Sequence, residues 1–414
     1  MKAKLLIPAA ICCAACLSSC SLTQTSAHKS IEKSASISFS WWGGEVRSDY
    51  TILGIKQYES ENNNIVISPY PTAFSGYKET LDALISCGKE SDIMQINYSW
   101  ISEYSADGEG FYDLNELSEY IDLGSYTDEE LSYGTSNGKL NAIPISLNAA
   151  TFYYNQTLFD EYNLDIPKTW DDLFECAEVF SADGIYTIEA SNIYYWLMLT
   201  AHEEQISGKA CFGETESFEL ENVVSMMEFY KELIDCKVVP HKEYSSNDFF
   251  TSKAAGQLLW ASDAQNNVIP LEEEGGEVTI GDYICDANSQ RFGWYLKPTS
   301  LYAISKSTQN PEQAAKFLNY LINSEEMAVL QGCEKGFPLS RSAQETLEAN
   351  DMFEGVSYEA GSKISQEERF ELIPNDLENT ERYSEFFDQF ELYYYGEKTA
   401  EQAAEDFLEG WRYG

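Results

Sequence analysis

Short stretches of the chain either alternate apolar and polar residues or stay apolar for a few positions, and both patterns predict β-strands. Longer stretches with apolar residues three or four apart separate them and predict helices. This alternation of strands and helices predicts an α/β fold with mostly parallel sheets. The predicted strands are Ser36–Trp41, Ile65–Ser68, Ile93–Ile96, Ala142–Leu147, Thr151–Tyr154, Leu258–Trp260 and Leu301–Ile304.

One predicted helix has a clear start signal. An apolar stripe runs over residues 170–180, and Thr169 precedes it with Asp172 three positions further on. This spacing is typical of a capping box, in which the two side chains bond to each other's backbone amides. Similar stripes predict helices near 77–85, 223–234, 314–322 and 400–411.

In α/β layers, ligands bind beyond the carboxyl ends of strands, in the loops that lead to helices. The stretch WWGGEVRSD, Trp41 to Asp49, lies between the first predicted strand and a helical run. Its two glycines allow the backbone to turn sharply. We therefore expect this stretch to be a ligand-facing loop.

The first 20 residues predict an export signal. Lys2 and Lys4 precede an apolar run that is too short to span a membrane as a stable helix. The run ends in Leu-Ser-Ser-Cys at Cys20, which resembles a bacterial lipobox, so residues 1–19 are predicted to be removed and Cys20 to be lipidated. The alternative is an ordinary signal peptide. Residues 20–35 are polar and predict a flexible tether.

The charge of the chain limits its partners. Lys and Arg total 26 against 69 Asp and Glu, which gives a formal net charge of -43. Nucleic acids require a basic footprint and an anionic membrane surface would repel this chain, so the composition argues against both as partners. A neutral or cationic ligand is favoured over a polyanion.

The sequence offers little catalytic or metal chemistry. It has three histidines and, after the signal segment, no C-x-x-C pair, so a zinc site is not expected. No nucleophile elbow, phosphate loop or H-E-x-x-H motif occurs. The chain is therefore predicted not to be an enzyme and to have no cofactor.

Aromatic residues make up 14% of the chain, and several tryptophans fall where loops are predicted. Flat rings can cover the apolar faces of sugars, and Arg47 carries donors suited to hydroxyl or carboxylate groups. For each tryptophan, packing in a core is an equally good interpretation, and Arg47 could simply pair with a surface acid. The aromatic candidates are Trp41, Trp42, Trp100, Trp196, Trp260 and Trp294 with its neighbour Tyr295.

The segment NGKLNAIPISLNAATFYYNQTLFDEYNLDIPKTWDDL at residues 137–173 resembles the extracellular solute-binding proteins of carbohydrate ABC transporters, the maltose-binding-protein-like family. Further matches to the family's pattern cover much of the chain: WWGGEVR, KAAGQLLWASD, SLYAISKSTQNPEQAAKFLNYLINSEE and KGFPLSRSA. The lipobox is similar to that of the family's members in Gram-positive bacteria.

This resemblance implies a two-lobed, periplasmic-binding-protein-like fold of type II, with hinge strands joining the lobes and the ligand cleft between them. By analogy, lobe 1 comprises residues 36–145 and 299–323, and lobe 2 comprises 146–298 and 324–414. Hinge bending closes such lobes around a ligand.

The resemblance also ranks the candidate ligand residues. Trp41, Trp42 and Arg47 match the family's first ligand loop, and Trp260 with Asp263 matches its cleft-facing W-x-x-D/N segment. The remaining candidates, Trp100, Trp196, Trp294 and Tyr295, rest on local context alone. Glu45-Val46 and Asn141 depart from the family's usual pattern, which leaves the identity of the sugar open.

Together these features predict a monomeric, lipid-anchored protein on the extracellular face of a bacterial membrane. It would capture a neutral sugar or oligosaccharide and deliver it to the permease subunits of an ABC importer. The alternatives are a binding protein for a polyamine or organic acid, a secreted glycoside-acting enzyme, and an adhesin, which would show sequence repeats. The sugar, its length and its linkage do not follow from the sequence.

Overall fold

The computed structural model describes residues 35–212, 218–245, 247–353 and 355–413. The predicted signal peptide, Cys20 and nearly all of the tether lie outside the described residues. The strands are β1 (Ala35–Trp42), β2 (Ile65–Thr72), β3 (Ile93–Ile96), β4 (Thr135–Ser136), β5 (Lys139–Leu140), β6 (Ala142–Pro144), β7 (Leu147–Asn155), β8 (Gly256–Trp260), β9 (Val278–Ile280), β10 (Tyr295–Pro298), β11 (Leu301–Ile304) and β12 (Glu371–Leu372).

Helices surround these strands. They are α1 (Glu45–Glu61), α2 (Tyr77–Ser86), α3 (Trp100–Tyr104), α4 (Asp128–Ser132), α5 (Gln156–Tyr162), α6 (Trp170–Phe180), α7 (Asn192–Ser207), α8 (Leu220–Asp235), α9 (Asn247–Phe250), α10 (Ala264–Asn267), α11 (Ile269–Glu273), α12 (Pro311–Asn323), α13 (Glu325–Gln331), α14 (Arg341–Ala349), α15 (Val356–Gln366), α16 (Thr380–Tyr394) and α17 (Ala400–Tyr413). Short 3-10 turns lie at Leu114–Leu117, Leu123–Ser125, Ser181–Asp183, Ala261–Asp263 and Asn375–Glu378.

The first lobe is built on a five-stranded sheet in the order β2-β1-β3-β11-β6. Strand β1 pairs in parallel with β2 and β3, and β11 runs antiparallel to β3 and β6. Alternation along β1 sends Ile37, Phe39 and Trp41 into one apolar core and Trp42 into a second cluster on the other side. The pattern read from the sequence therefore places this strand between two packed layers.

The second lobe contains a sheet in the order β12-β10-β7-β8, with β9 also paired to β7. Strand β7 is buried over almost its whole length, and helices α6, α7, α8, α16 and α17 contribute to the core around it. Thr169 caps α6 as predicted, because its side chain accepts from the Asp172 amide at 3.2 Å while Asp172 accepts from the Thr169 amide at 2.9 Å.

The sheets are not mostly parallel, so that expectation is wrong. The second sheet is antiparallel apart from the β10–β12 pair, and the first sheet is mixed. The cause is the way the chain crosses between the lobes. Strand β6 runs toward the hinge and leads into β7, which runs away from it. Strand β10 runs toward the hinge and leads into β11, which runs away from it. The pairs β6–β11 and β7–β10 are therefore antiparallel.

Three chain segments form the hinge region. Between β6 and β7, the Ile145 amide donates to the Ser300 carbonyl at 3.0 Å, and the Thr299 amide donates to the Ser146 carbonyl at 2.8 Å. The third segment, around residues 335–339, joins them through the Leu339 amide, which donates to the Ile145 carbonyl at 3.0 Å. These backbone bonds hold the crossing strands side by side.

The lobe boundary after residue 323 differs from that suggested by the resemblance. Helix α13 packs on α1 and α12, and α14 packs on α12 and α13, while Met327 and Leu339 are buried in the first-lobe core. Helix α15 is the first helix after them to pack on β7. We therefore assign residues up to about 349 to the first lobe, with a third crossing before α15.

Candidate functional site

The site lies where the carboxyl ends of first-lobe strands β1 and β3 approach the end of second-lobe strand β8. On the second lobe, Trp260 ends β8 and a 3-10 turn carries Asp263. The Tyr194 hydroxyl donates to Asp263 Oδ2 at 3.1 Å, and its ring meets the partly exposed Trp260 ring edge-on with centroids 6.0 Å apart. Aromatic surface and a carboxylate are thus adjacent.

A buried lysine supports this aromatic surface. Lys297, on β10, places its Nζ 4.1 Å from the centroid of the Trp260 ring and pairs with Glu378. Burial raises the pKa of the Asp263 carboxyl, whereas the charges of Lys297 and of Arg47 act to lower it. Arg47 belongs to the first lobe, so a charge of one lobe acts on the pKa of an acid in the other lobe.

On the first lobe, Arg47 lies in the first turns of α1 and is held by Glu334. The Arg47 Nε lies 3.0 Å from Glu334 Oε2, and its Nη2 lies 3.0 Å from Oε1. Tyr50 also donates to Glu334 Oε2, at 2.7 Å. Burial would raise the pKa of Glu334, but the Arg47 and Tyr50 bonds outweigh it and lower that pKa. Glu334 is therefore an anion that fixes the predicted ligand arginine.

Lys335 lies beside this pair and is buried. Its ammonium group lies 5.6 Å from the centroid of the Tyr50 ring and 5.2 Å from that of Tyr302, and it donates to the Tyr302 hydroxyl at 2.5 Å. Burial, and secondarily the charge of Arg47, lowers the pKa of Lys335 to about 7. Among the described residues no carboxylate forms an ion pair with it.

An aromatic cluster flanks the first-lobe face. The Trp42 ring centroid lies 5.6 Å from that of Trp100 and 5.5 Å from that of Phe74, whose side chain is 57% exposed. Tyr98, just before α3, packs against both this cluster and the second-lobe core. The loop after β3 therefore connects the lobes through one tyrosine.

Four of the predicted ligand residues lie in the two large cores and expose almost no surface, and Trp42 and Trp100, at 8% and 7% exposure, are likewise buried in the smaller aromatic cluster. Trp41 is fully buried and stacks on Phe39, and Trp196 donates from Nε1 to the Leu377 carbonyl at 3.0 Å. Trp294 likewise donates to a carbonyl, that of Ile284, at 2.8 Å. These positions correct the sequence-based expectation, because the neighbouring core residues already surround each ring.

Tyr295 is the fourth of these residues. Its hydroxyl donates to Glu204 at 2.7 Å, inside the second lobe. Burial raises the pKa of Glu204 to about 7, although the Cys211 amide, Tyr295 and Arg291 act against that rise. Tyr295 thus supplies a hydrogen bond to a buried carboxyl group and does not face the cleft.

The charge of Arg47 acts on Asp263, and Tyr194 contacts both Asp263 and Trp260, so these three predicted residues lie near one another. Trp42 and Trp100 lie in the aromatic cluster of the first lobe. Sequence reasoning missed Lys297, Lys335, Glu334, Tyr194 and Tyr98. Lys335 lies within the family-like stretch KGFPLSRSA, so its position was available, but its burial comes from Tyr50 and Tyr302, which are distant in sequence.

The described residues contain no group of three or more His, Cys, Asp or Glu arranged to hold a metal ion. Within the same residues, no helix has the length and apolar character needed to cross a membrane. The arrangement of rings, hydroxyls and paired charges is suited to binding a polar solute with apolar faces.

Comparison with known proteins supports this interpretation. The chain is 28% identical over 131 residues to the multiple sugar-binding protein of Streptococcus mutans, a match over 31% of this chain and 30% of that protein. It is 22% identical over 334 residues, 75% of each chain, to the sn-glycerol-3-phosphate-binding periplasmic protein of Escherichia coli.

A solved structure is similar over nearly its full length. It is a periplasmic oligogalacturonide-binding protein of Yersinia enterocolitica in complex with saturated digalacturonic acid, with a TM-score of 0.82 and 28% identity over 91% of this chain and 98% of that one. The family model for bacterial extracellular solute-binding proteins matches residues 55–352. The two-lobed α/β fold and the family resemblance are therefore confirmed, and the chain belongs to the bacterial extracellular solute-binding proteins.

Proposed function

We propose that this protein captures a sugar or oligosaccharide between its lobes and delivers it to the permease of an ABC importer. The observation that carries the proposal is the pairing of the Trp260 and Asp263 surface on one lobe with Arg47 on the other, across three hinge segments. The charge of Arg47 acts on the pKa of Asp263, which supports the proximity of these two side chains.

Sugars suit this surface for chemical reasons. A partly exposed ring such as Trp260 can cover the apolar face of a pyranose, and Asp263 and Arg47 can bond to its hydroxyls. A sugar ligand is also supported by the similar proteins, which include a multiple sugar-binding protein and an oligogalacturonide-binding protein. Capture and release at equilibrium require no catalytic residue.

We further propose that the chain is anchored by lipid at Cys20 on the outer face of the membrane. Support comes from the Leu-Ser-Ser-Cys motif and from the extracellular placement of the family. The expectation of a neutral sugar is not retained, because the names of compared proteins include charged ligands, glycerol phosphate and digalacturonate. The proposal covers neutral and acidic sugars alike.

The test is thermal unfolding of the chain from residue 35 onward in the presence of a ligand panel. Neutral and acidic mono- and oligosaccharides would be compared with polyamines and simple organic acids. A ligand that binds only the native state adds about 2.7 kcal/mol at 100 times its dissociation constant. A shift with a sugar series supports the proposal, whereas a shift with polyamines or simple organic acids alone contradicts it.

The variant Trp260→Ala should weaken binding of the same sugar about 10- to 100-fold, because it removes the ring surface. Trp196→Phe is the matched control, since Trp196 lies in the second-lobe core. It should lower the unfolding temperature and leave the affinity unchanged. Equal affinities for the parent and Trp260→Ala would remove Trp260 from the site.

A further inference from the structure

Tyr244 is an exposed aromatic residue of the second lobe that is bonded to a buried side chain. In the part of the chain that the structure describes, four aromatic side chains are exposed, namely Tyr70, Phe74, Tyr244 and Tyr395. Tyr244 is 40% exposed, and its hydroxyl accepts a hydrogen bond from Gln257 Nε2 at 3.3 Å. Gln257 is fully buried. The exposed ring is thus anchored to the interior of the lobe.

Glu189 holds the chain segment that carries Tyr244. It is fully buried, and its Oε1 accepts from the Ser245 amide at 2.9 Å and from Lys242 Nζ at 3.4 Å. Lys242 also pairs with Asp248, which lies in α9. The residues on both sides of Tyr244 are therefore bonded to buried carboxylates, and these bonds restrict the positions that the ring can take.

Gln257 and Glu189 are neighbours, and Gln257 belongs to the strand that ends in Trp260. The backbones of Glu189 and Gln257 are paired in a parallel bridge, and residues paired in this way direct their side chains to the same side. Gln257 lies three positions before Trp260 on β8, or about 10 Å along a strand. Strand β8 therefore positions Trp260 directly and Tyr244 through Gln257.

Tyr244 also lies near the polar groups that accompany Trp260. Burial is the main cause that raises the pKa of Tyr244, and the charges of Glu189 and Asp263 add to that rise. Tyr194 donates to Asp263 and contacts the Trp260 ring. Burial raises the pKa of Tyr194 as well, and Tyr244 is among the groups that contribute. These side chains therefore lie close together on one part of the second lobe.

A purely structural role explains Gln257 and Glu189 poorly. Both side chains are fully buried, and Gln257 Oε1 and Glu189 Oε2 have no hydrogen-bond partner among the described residues. Burying an unpaired polar atom costs free energy, and apolar side chains of similar size would fill the same space at lower cost. Unsatisfied buried groups are few in folded proteins, and a functional role is one explanation for them.

We propose that Tyr244 contacts the captured ligand and that Gln257 is the residue that positions it. This inference rests on the proposed sugar-binding function and adds a second-lobe contact beside Trp260 and Asp263. An amide N–H can only donate, so the Tyr244 hydroxyl accepts from Gln257 and its own proton is available to an oxygen of the ligand. The exposed part of the ring can cover an apolar face of a sugar.

The test is isothermal titration of the chain from residue 35 onward with maltose, cellobiose, xylobiose and digalacturonic acid. For the probe that binds the parent most tightly, Tyr244→Phe should weaken binding about 3- to 10-fold, because it removes one hydrogen-bond donor and keeps the ring. Tyr244→Ala should weaken binding by at least about tenfold, because the ring surface is lost as well. Tyr395→Phe, at another exposed tyrosine of the second lobe, is the control and should leave the affinity unchanged.

The variant Gln257→Met tests the positioning role, because Met has a similar length and cannot donate to the Tyr244 hydroxyl. When Gln257→Met is already present, the further change Tyr244→Phe should weaken binding by less than about twofold, since the hydroxyl is no longer oriented. A merely structural role of Gln257 would leave the effect of Tyr244→Phe as large as in the parent, and that result would overturn the positioning role. Thermal unfolding of each variant checks that it is folded.

The outcomes separate this inference from the proposed function. Affinities of Tyr244→Phe and Tyr244→Ala that equal the affinity of the parent overturn the contact at Tyr244 and leave sugar capture intact. No binding of any of the four probes by the parent overturns both. The substitutions of Tyr244 change an exposed side chain, so they test the contact even if Gln257→Met does not fold.

Discussion

The surroundings of Lys335 change the chemistry of its side chain. Its ammonium group is enclosed by Tyr50 and Tyr302, and burial is the largest cause that lowers its pKa to about 7. The ordinary value for this group is 10.5. Between these two values the unfolded chain binds more protons than the native one, so the free energy of unfolding should rise with pH across that window.

The variant Lys335→Met should remove this dependence. It should be more stable than the parent by several kcal/mol near pH 7 or below, where the native parent must keep a buried charge. The difference should diminish toward pH 10.5 and above, as the lysine loses its proton in the unfolded chain as well as in the native one. Urea unfolding at several pH values between 6 and 10 measures it, with the exposed Lys253→Met as control. A difference that does not change with pH would contradict this account of Lys335.

Also at the residue scale, local sequence alone does not show which of two neighbouring tryptophans faces a ligand. Trp41 and Trp42 are neighbours on β1, yet Trp41 lies in one apolar core and Trp42 in the cluster beside the cleft. The alternation of the strand predicts that they face opposite sides. Which side contains the ligand depends on the packing of α1, α2 and α3, which the sequence of the loop does not contain.

At the scale of elements, the hinge segments decide how the lobes can move. Gly336 has φ of +95°, and a Cβ at this position would lie 3.0 Å from Ser146 Oγ. Ser146 itself donates to the Lys335 carbonyl, and its hydroxyl oxygen lies 2.7 Å from that of Thr299. A side chain at residue 336 would therefore press on the β6–β7 crossing at Ser146.

The variant Gly336→Ala should lose more stability than Gly396→Ala, the matched control, which has φ of +76° and nothing within 4 Å of its Cβ position. Backbone strain alone costs each of them about 1 kcal/mol or more. Gly336→Ala should also weaken sugar binding, because the hinge shifts. Thermal unfolding and ligand titration measure both effects. Equal losses of stability and equal affinities would show that the Ser146 contact does not constrain closure.

Some elements could not be recognised from their own residues. Strand β10 contains Lys297 and ends in Pro298, and both residue types argue against a buried strand. The strand forms because β7 and β12 pair with it on both sides. Helix α6 is the opposite case, since its start and its apolar face follow directly from its sequence.

At the scale of the whole molecule, the predicted lipid at Cys20 determines where the cleft operates. We expect the full chain, expressed in a Gram-positive host, to fractionate with membranes, and Cys20→Ala to be released in soluble form. This substitution removes the predicted site of lipid attachment. Cys16→Ala is the control and should stay with the membrane, because Cys16 fits the lipobox less well.

Fractionation followed by mass measurement of the N-terminal peptide tests the anchor. The parent should start at Cys20 and carry the mass of the lipid. Retention of Cys20→Ala in the membrane, or release of Cys16→Ala, would contradict the assignment. The capture function would stand in either case, because the described residues that form the cleft begin at residue 35.

The sequence by itself determined the α/β class, the family, the positions of most first-lobe strands and the start of α6. These features depend on short-range periodicity, capping and local motifs. It also singled out Arg47, Trp260 and Asp263 as candidates, since their motifs lie at the ends of recognisable strands.

Only the tertiary structure decided the rest. It placed Trp41, Trp196, Trp294 and Tyr295 in the cores and assigned α13 and α14 to the first lobe. It also placed Lys297 against Trp260, and Lys335 against Tyr50 and Tyr302. The physical reason is that burial and charge pairing are properties of contacts between distant segments. Glu334 meets Arg47 across 287 positions of sequence, and no local pattern records such a contact.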